Sequence, residues 1–145
     1  MKSYRVWCAM LLLVLCSVTT AQERPYKDGP VLMVTSVKVM DGQYENYMKF
    51  LANTWRASME ASKAAGVVLE YGVYNASPRR LEDADLYLVT TYPNMAMLDG
   101  LTEKMDPIMA KATKLNIAQR EEAAGKRTSM RTILGSEMLR GVEFK

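Results

Sequence analysis

The chain has 145 residues, 49% of them hydrophobic, a formal net charge of +3, two cysteines and no histidine. Without histidine there is no Ser-His-Asp triad, no His-x-x-x-His zinc site and no histidine haem ligand. No basic run or aromatic–basic patch is present, so nucleic acid is not an expected partner.

Lys2 and Arg5 precede an apolar run from Val6 to Cys16, followed by Ser17, Val18, Thr19, Thr20 and Ala21. This is the n-region, h-region and small-residue cleavage region of a signal peptide, with the cut placed before Gln22. A bilayer core needs about 20 apolar residues, more than this run supplies. A retained anchor and lipidation at Cys16 are the alternatives; against lipidation, Leu15 is bulky where a lipobox has a small residue. Both cysteines, Cys8 and Cys16, lie in residues 1–21. The mature chain would then have neither a disulfide nor a thiolate site. Its 124 residues amount to one domain, exported to the periplasm or secreted, with a net charge near +1.

Residues 22–30 are polar, with two prolines and a glycine, and read as an exposed leader to a domain over 31–145. Val31 to Val39 is rich in β-branched residues and predicts a strand with both faces substantially buried. A long helix from Asp41 or Gln43 to Ala65 carries Tyr44, Tyr47, Met48, Leu51, Trp55, Met59 and Ser62 on an inward stripe. Gly66 closes it as a C′ glycine. Val67–Ala76 and Ala84–Tyr92 predict two strands joined as an antiparallel hairpin through the polar Ser77–Asp83. Asn94 can cap a short helix through Leu101 or Met105. Asp106-Pro107 can start another, which runs to about Gly125. Met130–Leu134 and Glu137–Phe144 are strand-like, with Gly135 marking a bulge or bend. The order β-α-β-β-α-β is the split, ferredoxin-like α+β arrangement.

From Val31 to Phe144 the chain resembles the dimeric α+β barrel superfamily. The resemblance rests on the Val-rich first strand closed by Asp41-Gly42, the long helix with Trp55, the Ala65-Gly66 stop and the hairpin strand Asp85-Leu86-Tyr87-Leu88-Val89. It implies two ferredoxin-like sheets packed face to face across a two-fold axis, and a ligand pocket between helices and sheet. Known members include cofactor-free oxygenases, haem-using enzymes and isomerases, so fold alone does not give function. The residues independently favour a homodimer: helices cover one sheet face, and a second copy would cover the other.

Tyr47, Trp55, Tyr71, Tyr74 and Tyr87 are candidate walls of an apolar pocket with a few phenol donors, or ordinary core aromatics. Arg131 is a candidate anion partner or oxyanion stabiliser, or a paired surface arginine. Glu70 and Asp85 are candidate general bases if buried. The mature chain has 10 methionines, among them Met95, Met97, Met105 and Met109. Thioethers suit Cu(I), but in cores they usually fill gaps. Asn75-Ala76-Ser77 is formally a glycosylation sequon, followed by Pro78. With no nucleotide-binding glycine loop and no metal motif, no cofactor is expected. The leading expectation is an exported dimer binding a small apolar or aromatic molecule through Tyr47, Trp55, Tyr71, Tyr87 and Arg131. A cofactor-free monooxygenase or isomerase using Arg131 and a tyrosine, and a structural or protein-interaction module, are the alternatives.

Overall fold

The computed structural model describes residues 23–145. The signal peptide expected over residues 1–21, and with it the two cysteines, lies outside the described residues.

Four antiparallel strands form one sheet in the order β2-β3-β1-β4: β1 (Tyr26–Val39), β2 (Glu70–Asn75), β3 (Leu86–Tyr92) and β4 (Arg131–Phe144). The helices lie on one face: α1 (Tyr44–Phe50), a π-turn (Leu51–Trp55) and α2 (Arg56–Ala64) between β1 and β2, then α3 (Leu101–Thr113) and α4 (Ile117–Lys126) between β3 and β4. This is the ferredoxin-like split β-α-β-β-α-β fold.

β1 begins five residues earlier than its composition predicts. Tyr26, Lys27 and Asp28 pair with Phe144, Glu143 and Val142. Tyr26–Pro30 of the expected exposed leader thus extends the central strand, with the side chains of Tyr26 to Asp28 exposed. Pro30 is tolerated because the ladder shifts register between Asp28 and Val31. Gly29 and Gly141 cross closely there, where a Cβ on Gly141 would sit 3.1 Å from the Pro30 carbonyl oxygen. The two expected C-terminal strands are one. Of the bulge or bend expected at Gly135 the structure has a bulge, because Gly135 pairs with Ser36 and Ile133 with Val37, leaving Leu134 unpaired.

The long helix ends as its sequence predicts. Gly66 has φ +73°, a left-handed conformation that a Cβ would strain, and its N–H donates to the Lys63 carbonyl. The second helical region differs. Asn94 caps only a 3₁₀ turn (Met95–Leu98), through its side chain to the Met97 N–H. α3 then starts at Leu101 and carries Pro107 in its interior, so Asp106-Pro107 is not a helix start. The chain breaks at Lys114 (φ 58°), and Asn116 opens α4 with a capping box to Gln119. The single helix expected over 106–125 is thus two pieces, because the Asn116/Gln119 pair supplies a start that Asp106 does not.

The core lies between helices and sheet, around Val37, Val39, Tyr47, Leu51 and Leu86. Odd positions of β1 and even positions of β3 face it. The other set faces away: Val34 pairs with Val89, Ser36 with Tyr87, Leu32 with Leu139 and Tyr87 with Tyr74. Leu32, Val34 and Val89 are half-buried, whereas Tyr74, Tyr87, Leu134 and Leu139 are exposed. Tyr74 folds over Gly72, whose absent Cβ would lie 2.8 Å from its ring. The fully buried residues of β1, Gly29, Val31, Val37 and Val39, are therefore all on its helix side.

Candidate functional site

The π-turn positions the site. An α-helix advances about 100° per residue, so an unbroken helix would place Met59 about 120° away from Tyr47. One extra residue in the π-turn takes back about 100° of that. Met59 consequently comes round to the sheet, with its sulfur 4.0 Å from the Thr90 hydroxyl on β3. Ser62 turns instead toward α3, where its hydroxyl donates to the Ser58 carbonyl and lies 3.6 Å from the Met105 sulfur. Trp55 meets Tyr71 of β2 edge to face, with ring centroids 5.3 Å apart.

Beside this turn is a cavity of about 150 Å³. Phe50, Thr54, Trp55, Ser58 and Met59 form one wall; Met109 and Thr113 of α3, Leu115, and Arg120, Ala123 and Arg127 form the other. It lies within the helical layer, with no strand residue in its lining. Two guanidiniums border it. Arg120 pairs with Asp106 (Nη2 to Oδ1, 2.8 Å). Arg127 lies 4.8 Å above the Phe50 ring, a cation–π contact. The Nε of each is buried without a hydrogen-bond partner. Burial and the charge of Arg131 push the Arg127 pKa below its ordinary value.

Tyr47 is only 1% exposed. Burial raises its phenol pKa, although Arg131 and Arg127 beside it pull the other way. The phenol is thus held protonated: it can donate a hydrogen bond but is a poor base. Tyr71 is also raised, by its hydrogen bond to the Glu60 carboxylate and by desolvation.

The five expected site residues do not share one pocket. Trp55 lines the cavity and Tyr71 packs edge to face on it, while Tyr47 stacks on Phe50 with Arg131 nearby, and neither Tyr47 nor Arg131 is in the lining. Tyr87 is on the opposite sheet face, lining a polar groove of about 500 Å³ with Ser36, Ser77, Arg79, Asp83 and Gly135. Sequence reasoning missed Phe50, Arg120 and Arg127. The capping pair Asn116/Gln119 was the available signal for α4, and with it the placing of Arg120 and Ala123 on one helix face.

The other candidates have structural roles. The Asp85 carboxylate accepts from Lys38 Nζ (2.9 Å) and the Val39 N–H (2.8 Å). Its burial favours the neutral acid, but these two donors outweigh it and the pKa lies below the usual carboxylate value. Asp85 therefore clasps the β1–β3 end, a poor arrangement for a base. Glu70 is exposed at the start of β2. The methionines do not converge: Met95 and Met97 sit on the 3₁₀ turn, Met105 packs at Ser62 and Met109 lines the cavity. Among the described residues, no group of three or more His, Cys, Asp or Glu could hold a metal ion. No described helix is long and apolar enough to cross a membrane.

No family model matches the chain, and no curated protein matches it. Solved structures do share its fold. HapK from Hahella chejuensis superposes with a TM-score of 0.51 at 11% identity, covering 75% of this chain and 90% of HapK. A dimeric ferredoxin-like protein from an uncultured marine organism gives 0.48 at 13% identity, covering 82% and 90%. A dimeric protein of unknown function with a ferredoxin-like fold, from Bacteroides fragilis, gives 0.44 at 15% identity, covering 80% and 97%. At 11% identity the likeness to HapK bears on the fold alone and says nothing about activity.

Proposed function

We propose that this is an exported homodimer that binds a small apolar or aromatic molecule. The observation that carries the binding reading is the cavity beside Trp55. Its walls are mainly apolar, and engineered apolar cavities near 150 Å³ accept benzene. A π-turn forms its rim, and such distortions recur at functional sites. Binding is favoured over turnover because the phenols beside the cavity, Tyr71 and Tyr47, are both held protonated and Asp85 is committed to Lys38 and Val39.

The homodimer is supported by the open sheet face. Leu32, Val34, Val89, Tyr87 and Leu139 form a contiguous apolar strip that no helix among the described residues covers. The N-terminal pattern of residues 1–21 supports export.

Trp55 is the reporter for the test. With Trp7→Phe as background, it is the only tryptophan in the chain. Titration with benzene, toluene and phenol should quench or shift its emission in a saturable way. Unchanged emission across the series refutes the cavity as a binding site.

A further inference from the structure

We propose that the ligand bound beside Trp55 is an acid: a one-ring aromatic carboxylate, its ring between Trp55, Met59 and Met109 and its carboxylate on the guanidinium of Arg127. This inference rests on the binding reading above and adds the ligand's charge.

Three arginines gather at this end of the helical layer: Arg120 and Arg127 on the cavity, and Arg131 behind them beside Tyr47. One carboxylate answers them, Asp106, and it is taken by Arg120. Among the described residues, neither Arg127 nor Arg131 has a carboxylate within ion-pair distance. The Phe50 ring compensates Arg127 on one side only, and its buried Nε–H has no acceptor. Arginine does not shed its proton to relieve this, since its guanidinium stays charged in proteins. Half-buried like charges therefore face each other next to an apolar space, and the missing partner is an anion. A carboxylate suits a guanidinium by geometry as well as charge, because its two oxygens match the paired N–H donors. The size of the cavity restricts the apolar part to about one ring.

The test uses the full chain and two probes of nearly equal shape, phenylacetate and 2-phenylethanol, followed by calorimetry. Phenylacetate should bind at least tenfold more tightly than the alcohol. Arg127→Gln should weaken the acid at least fivefold more than the alcohol, bringing the two to similar affinity. Raising salt from 50 to 500 mM should weaken only the acid, a reading that needs no variant. If acid and alcohol bind the wild type equally, the charge inference falls and the cavity reading stands. If Arg127→Gln weakens both probes alike, Arg127 shapes the cavity and does not read charge, which also overturns the inference. If neither probe binds, both readings fall.

Discussion

Deleting Asn53 should leave the fold intact, whereas inserting one alanine at the same point should come close to unfolding it. The π-turn already holds one residue more than an α-helix needs, and Ala52 and Asn53 are both exposed. Removing Asn53 lets Tyr44–Ala64 close into continuous α-helix. The contacts on either side survive: Tyr47 and Leu51 in the core, Met59 at Thr90, Ser62 at Met105. The expected cost is at most about 1 kcal/mol, the range of an exposed substitution plus relief of an irregular turn. An inserted alanine is a second extra residue that one turn cannot absorb. It rotates α2 by about 100°, taking Met59 off the sheet. Met59 is half-buried, so losing its packing costs about 1–2 kcal/mol, and with the buried Ser58 and Ser62 displaced from their packed positions the total is about 2–4 kcal/mol. Urea unfolding followed by far-ultraviolet circular dichroism measures both. The deletion should also weaken ligand binding, because Phe50 and Thr54 line the cavity from opposite ends of the turn. Equal costs for deletion and insertion would refute the one-residue account of the helix.

Asp85→Asn should cost about 1–3 kcal/mol, the worth of charge-assisted hydrogen bonds to Lys38 and the Val39 N–H. Because the folded pKa of Asp85 is depressed, its contribution is full above the unfolded carboxylate value near 4 and is lost as pH falls through the lower folded value; Asp85→Asn should flatten the acid limb of a stability–pH curve. Gly66→Ala should lower stability by about 1–2 kcal/mol in thermal melts, since nothing lies within 4 Å of the new Cβ and only the left-handed backbone resists it.

The elements written in local chemistry were legible in the sequence. Gly66, the β-branched first strand and the hairpin strands all announce themselves within a few residues, and their order gives the fold. Tyr26–Pro30 was not legible as strand. Its two-proline neighbourhood argues for a loop, and only the long-range pairing with Val142–Phe144 overrides it. The π-turn was illegible for a different reason. The spacing Tyr47, Leu51, Trp55, Met59, Ser62 fits a regular helix stripe, yet one inserted residue splits it into sheet-facing Met59 and α3-facing Ser62. The cavity followed the same fate: pocket walls sought between helix and sheet lie within the helical layer, since Pro107 sits inside α3 and Lys114 breaks the chain before α4. Arg127 was invisible because its partner, Phe50, is 77 residues away in sequence.

The sheet keeps the two proposed surfaces apart, and that makes them separately testable. Side chains alternate across β1, so Val34 reaches only the open face while Val37 and Val39 reach only the core. Val34→Asp would place two like charges near a two-fold axis if two copies met through this face, a repulsion added to the cost of burying each carboxylate. Native mass spectrometry should find the wild type as a dimer and Val34→Asp as a monomer, with unchanged circular dichroism because Val34 is only half-buried in one copy. A monomeric wild type would refute the pairing. Ligand binding discriminates further. If the cavity is complete within one chain, the Val34→Asp monomer should bind phenylacetate as the dimer does, and Arg127→Gln should abolish the acid preference while remaining a dimer. Loss of binding in the monomer would mean that the helical layer holds its shape only when the sheet behind it is paired.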